Sequence, residues 1–239
     1  MTPEQASLAI SLLDLTNLDD RCTPEAVDEL CRRATEYRVA AVCVWPDFVR
    51  QAAAAVAGSG VGVATVVNFP TGDERPYAVT AVTGCALDDG ATEIDVVLPY
   101  RALAAGDTEW ALGLLRATRV ASAGAALKVI IESGEAPDQA TVATATRLAI
   151  EAGADFVKTS TGKTARSASL DAVATMLDVI TESDHTVGLK PSGGIRTAED
   201  AERYLSLAAD RMGPAYLAPA TFRFGASALL DALVAVAGI

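Results

Sequence analysis

The stretch ALKVIIESGEAPDQATVATATRLAIEAGADFVKTST, residues Ala126 to Thr161, holds one complete structural repeat. Ala126 to Glu132 is an apolar run rich in Val and Ile, and Phe156 to Thr161 is a second. Nearly continuous apolar character is expected of a parallel strand whose two faces are both covered. Between the runs, Pro137-Asp138 reads as a helix start, and Gly153 stands where that helix should stop. Strand, helix and strand within roughly 30 residues form a βαβ unit.

The same alternation extends in both directions. Further candidate strands are Leu12 to Thr16, Ala40 to Trp45, Val61 to Asn68, Thr92 to Pro99, Thr186 to Pro191 and Tyr216 to Phe224. Thr23-Pro24-Glu25, Ser169-Leu170-Asp171 and Thr197-Ala198-Glu199-Asp200 look like further capped helix starts. The apolar tail, Ala226 to Ile239, reads as a last helix packed on the body. Eight strand–helix units without a linker predict one domain over residues 1–239, an α/β (β/α)8 TIM barrel with eight parallel strands and an apolar C-terminal helix. A doubly wound open sheet is the alternative, but no G-x-G-x-x-G follows the first strand.

Bulk properties narrow the function. The 239 residues carry a formal net charge of -12, which disfavours nucleic acid and anionic lipid as partners. Cys22, Cys31, Cys43 and Cys85 form no C-x-x-C pair, and His185 is the sole histidine. No Cys/His metal site is therefore expected. The polar N-terminus and the short apolar runs predict neither a signal peptide nor a membrane span, hence a cytoplasmic protein.

Polar residues inside buried strands need an explanation. Asp14, Cys43, Asn68, Asp95, Lys128, Lys158 and Lys190 fall one per strand, at intervals of 25 to 33 residues. They therefore sit at similar heights near the carboxyl ends of the strands, where this fold builds active sites. A structural ion-pair network is the bland explanation, with the aspartates neutralising the lysines. The sharper one is carbonyl capture. A lysine amine attacks only when unprotonated, and a second ammonium nearby lowers its pKa. Lys158 and Lys190 lie on adjacent predicted strands and can form such a pair, with Asp95 moving protons through water.

Pro191-Ser192-Gly193-Gly194 follows the predicted seventh strand, and Arg223-Phe224-Gly225-Ala226-Ser227 opens the last helix. Barrel enzymes frequently bind phosphate between these two loops, at a helix N-terminus.

Phe156-Val157-Lys158-Thr159-Ser160-Thr161-Gly162-Lys163 resembles the Schiff-base strand of the deoxyribose-phosphate aldolases. Gly188-Leu189-Lys190-Pro191-Ser192-Gly193-Gly194-Ile195-Arg196-Thr197 is similar to that family's second-lysine segment. Asp14-Leu15-Thr16, Asn68-Phe69-Pro70, Glu93 to Tyr100 and Leu127 to Glu132 match as well, in order along nearly the whole chain. The resemblance implies a class I aldolase cleaving 2-deoxy-D-ribose 5-phosphate reversibly to D-glyceraldehyde 3-phosphate and acetaldehyde, in deoxyribose catabolism. It implies Lys158 as Schiff-base nucleophile, Lys190 as the group depressing its pKa, and Asp95 as proton carrier with a water. Asp14 and Lys128 would orient this network. Thr161, Gly162, Lys163, Gly193, Gly194 and Ser227 would face the substrate or its phosphate. It implies no cofactor or metal, small phosphorylated sugars and aldehydes as partners, and a homo-oligomer, a dimer.

Two positions depart from the pattern. Ala228 stands where many relatives have a second serine, which removes a hydroxyl from the phosphate cup. Trp45 replaces a common tyrosine, with packing consequences only expected. His185 precedes the predicted seventh strand and should lie on the surface at the amino end. Cys43 reads as a small buried residue. Competing functions are an aldolase for another sugar phosphate, a sugar-phosphate isomerase and a non-catalytic binding barrel.

Overall fold

The computed structural model describes every residue from Met1 to Ile239. Its strands are β1 (Leu13–Asn17), β2 (Ala41–Val44), β3 (Gly62–Val67), β4 (Glu93–Val97), β5 (Ala126–Ile130), β6 (Phe156–Lys158), β7 (Gly188–Lys190) and β8 (Phe224–Ala226). Neighbours in sequence are neighbours in space, and β8 pairs with β1, in the order β7-β6-β5-β4-β3-β2-β1-β8. The paired strands are parallel. Between β7 and β8, parallel bridges at Leu189–Phe222 and Ser192–Gly225 draw the ends together. The result is the expected (β/α)8 barrel.

The helices are α1 (Pro3–Ser11), α2 (Pro24–Tyr37), α3 (Val49–Ala55), α4 (Pro76–Asp88), α5 (Tyr100–Ala104), α6 (Thr108–Ala121), α7 (Gln139–Glu151), α8 (Leu170–Thr181), α9 (Ala198–Met212) and α10 (Leu229–Ala237). Local chemistry places their starts. The side chains of Thr23, Asp138, Ser169 and Thr197 each accept a backbone N–H of the first turn, so the expected caps are in place. Such a cap stabilises a helix by about 1 kcal/mol. On α9 the buried residues Ala201, Tyr204, Leu205 and Ala208 recur at helical spacing and form one inward stripe. The predicted tail helix is α10, which buries Leu229, Leu230 and Leu233 and pairs Asp231 with Arg33 of α2. No helix is long and apolar enough to cross a membrane.

One expectation needs correction. The eighth strand is not Tyr216 to Phe224. Pro214–Tyr216 is a 3-10 turn, and the strand runs only over Phe224–Ala226. Pro219 lacks a ladder N–H, and the Tyr216 hydroxyl is drawn down to donate to the Val187 carbonyl at 2.8 Å. In addition, α1 precedes β1 unforeseen. It is closed by a reciprocal Thr2–Gln5 capping box and packs on α10.

Candidate active site

The strand ladder sets the heights of the polar side chains. Asp95 on β4 is in register with Lys128 on β5, and Lys158 on β6 with Lys190 on β7. Side chains alternate across a strand, so these residues point to the barrel axis while their neighbours Ile94, Val96, Leu127, Val129, Val157 and Leu189 join the apolar layer beneath the helices.

The axis groups meet on one carboxylate. Asp95 Oδ1 accepts from Lys128 Nζ at 2.9 Å, and Asp95 Oδ2 accepts from both Lys158 Nζ and Lys190 Nζ at 2.8 Å. Asp14 Oδ2 lies 2.5 Å from Lys190 Nζ and 3.4 Å from Lys128 Nζ, as ion pairs without a well-aligned hydrogen bond. The bonding accounts for Asp14, Lys128, Lys158, Lys190 and Asp95 as a single assembly, as the strand spacing predicts.

The three lysines differ in protonation. Burial pushes the Lys158 ammonium down; Asp95 opposes this, Lys190 reinforces it, and the net direction is below the ordinary 10.5. Burial also disfavours the Lys190 and Lys128 ammoniums, but their carboxylate partners outweigh it and both titrate above the ordinary value. Asp95 is held well below the ordinary carboxylate range, the lysines overcoming the cost of its burial. Lys158 is thus the one amine of the three that is pushed below the ordinary lysine value, so it gives up its proton before the other two. The sequence argument assigned that effect to Lys190; burial is the larger cause. Cys43 is fully buried on β2, and burial raises its thiol, so it stays neutral.

Above the lysines a cavity of about 860 Å³ opens at the carboxyl ends of the strands. Thr161, Gly162, Lys163, Gly193, Gly194 and Ser227 all line it. Lys158, three residues before Thr161, is 2% exposed and is not among the residues that line it. The loops after β6 and β7 touch through glycine: a Cβ on Gly193 would sit 3.2 Å from Gly162 Cα and 2.7 Å from Ser167, at a φ of +85°. A side chain there would force the two loops apart. Exposed Ser227 precedes α10, whose N-cap is Ala228 and whose first N–H groups receive no side-chain cap. Uncapped N–H groups at a helix start favour an anion.

Two predicted ligands are otherwise engaged. The Thr161 hydroxyl donates to buried Glu132 at 2.5 Å, and the Thr161 N–H donates to the same carboxylate at 3.2 Å. Thr161 therefore anchors the β6 loop. Lys163 Nζ donates to Asp20 at 2.8 Å and lies 5.7 Å from the Trp45 ring centre. Trp45 thus does more than pack. Asn68 is outside the charged assembly: its side chain donates to the Val97 carbonyl at 2.7 Å and accepts from the Glu74 N–H at 2.8 Å, clamping backbone. His185 is exposed before β7, as expected.

Sequence reasoning gave neither Glu93 nor Arg223 a place in the charged cluster, and it expected Arg223 in the phosphate-binding segment. Arg223 donates to Asp14 at 2.6 Å and to Glu93 at 3.1 Å, and Glu93 also accepts from Lys128. The signal for Glu93 was present, since it lies two residues before Asp95 and so shares its face of β4.

The family model of the DeoC/LacD family aldolases matches residues 8–235. A deoxyribose-phosphate aldolase of Agrobacterium fabrum is 51% identical over 232 residues, covering 95% of this chain and 90% of that one. A Coccidioides immitis structure provisionally described as a deoxyribose-phosphate aldolase is 33% identical with a TM-score of 0.87, over 98% of this chain and 87% of that one. The deoxyribose phosphate aldolase of Aeropyrum pernix, described as tetrameric, is 28% identical with a TM-score of 0.81, over 97% and 91%. With barrel, buried lysines and this similarity in agreement, the chain belongs to the DeoC/LacD aldolase family, among the deoxyribose-phosphate aldolases.

Proposed function

We propose that the chain acts as one catalytic domain that cleaves 2-deoxy-D-ribose 5-phosphate through a Schiff base on Lys158, in the catabolism of deoxyribose. The observation that carries this reading is the assembly around Asp95, in which Lys158 alone is pushed below the ordinary lysine value. That amine attacks the C1 carbonyl carbon of the open-chain sugar. The carbinolamine loses water to an iminium, with Asp95 and a water carrying protons. Loss of the proton from the C3 hydroxyl breaks the C2–C3 bond. Glyceraldehyde 3-phosphate leaves, and the bonding electrons remain as an enamine, for which the iminium nitrogen is the electron sink. Protonation at C2 and hydrolysis then release acetaldehyde and the free amine.

Lys190 and Lys128 keep Asp95 ionised, and Asp14 holds both lysines in place. The phosphate lies between Gly162, Gly193, Gly194 and Ser227, with Lys163 turning to it from Asp20. A cytoplasmic homo-oligomer, a dimer, completes the proposal. The test is acetaldehyde with cyanoborohydride, followed by peptide mass spectrometry and a panel of sugar phosphates. A single ethyl adduct on Lys158, with deoxyribose 5-phosphate the preferred substrate, is expected. Adducts scattered over surface lysines with Lys158 unmodified would overturn it.

A further inference from the structure

The barrel interior holds a closed cluster of ionisable residues, none more than 8% exposed: Asp14, Glu93, Asp95, Lys128, Lys158, Lys190 and Arg223. Three are carboxylates, and four are cations when protonated. A buried cluster is least costly when its charges cancel, so one of the four must give up its proton. Arg223 cannot, because a guanidinium stays protonated in proteins. Lys128 contacts Glu93, Asp95 and Asp14, and Lys190 contacts Asp14 and Asp95. Lys158 contacts only Asp95, through an oxygen it shares with Lys190.

We infer that Arg223, acting through Asp14 and Glu93, is a positioning residue that keeps the Lys158 amine unprotonated. This rests on the Schiff-base role of Lys158 proposed above. Arg223 is a permanent positive charge held beneath the reacting layer by Asp14, Glu93 and the Pro219 carbonyl. It occupies one carboxylate's worth of negative charge that would otherwise stabilise a Lys158 ammonium. Lys158 faces Asp95 from β4, Lys190 from β7 and the neutral Cys43 thiol from β2. Beyond these stand Lys128 on β5, Glu93 on β4 and Asp14 on β1. Without Arg223 three carboxylates would face Lys128 and Lys190 alone, and Lys158 would take up a proton to restore balance.

The test is the pH dependence of Lys158 trapping by acetaldehyde and cyanoborohydride, beside that of kcat/KM. In Arg223→Gln the rising limb of both profiles moves to higher pH by about one unit. Arg223→Lys restores it. Glu93→Gln removes a negative charge instead and moves the limb to lower pH, a reversal that mere damage to packing does not produce. Glu93→Gln also serves as the test should Arg223→Gln not fold. A limb unmoved in either folded variant, while the wild type is trapped on Lys158, overturns the role of Arg223. A wild type not trapped on Lys158 overturns the Schiff-base reading itself, and this inference with it.

Discussion

Replacing Lys158 and Lys128 by methionine, one at a time, separates a neutral amine from a buried cation. Both side chains are buried, and methionine has a similar shape. Lys128 touches Glu93, Asp95 at 2.9 Å and Asp14 at 3.4 Å. Its removal breaks pairs to three carboxylates, and a proton taken up by Lys158 restores the charge balance but reaches only Asp95; breaking a buried pair costs about 3–5 kcal/mol. For a chain of this length that lowers the melting temperature by roughly 6–20 °C. Lys158→Met removes one hydrogen bond to Asp95, worth about 1 kcal/mol. It also removes the burial cost of a polar amine and leaves the charges balanced. Its net effect stays within about 1 kcal/mol. The sign of the pH dependence follows. A lysine whose folded value is depressed costs stability below that value, and the cost fades as pH rises toward 10.5. The gap between wild type and Lys158→Met therefore shifts in favour of the wild type as pH rises through that window. Differential scanning calorimetry at several pH values measures both quantities. A Lys158→Met variant destabilised as much as Lys128→Met at neutral pH would show that Lys158 rests as an ammonium, and the reasoning would fail.

Three further outcomes are expected. In Gly225→Ala the new methyl would lie 3.1 Å from Lys190 Cε and 2.8 Å from Ser192 Oγ; kcat should fall about tenfold or more with KM little changed, and an unchanged kcat would show that Lys190 tolerates the shift. Ala228→Ser puts a hydroxyl beside the uncapped start of α10, so inorganic phosphate should inhibit competitively with a lower constant, and an equal or weaker inhibition would place the anion elsewhere. His185→Ala should leave activity and melting temperature unchanged, a change within about 0.5 kcal/mol, because the ring is exposed at the far end of the barrel; a loss of turnover would contradict that placement.

The parts legible in the sequence were those written locally or against the grain of their surroundings. Thr23, Asp138, Ser169 and Thr197 announce helices because a cap needs only a side chain and the next turn. The lysines stood out because ammonium groups violate the apolar pattern of a covered strand. α1 carried a readable signal, Thr2 followed three residues later by Gln5, but its short polar face masked it. The eighth strand was misplaced because its position depends on closure against β1, more than 200 residues away, and not on its own composition. Arg223 was lost for the same reason, as its partner Asp14 lies 209 residues earlier. Glu93 lies inside the expected strand, Thr92 to Pro99, but its partner Arg223 is 130 residues later. For Lys163, residue type alone could not say that Asp20 would hold it.

The Asp20–Lys163 ion pair has a consequence for ionic strength. Any anion entering the cavity and recruiting Lys163 exchanges one ion pair for another, so its affinity is a difference between two attractions. Dissolved salt weakens the resident pair along with the incoming one. Binding at this mouth should therefore vary less with salt than the charge of the ligand alone would suggest.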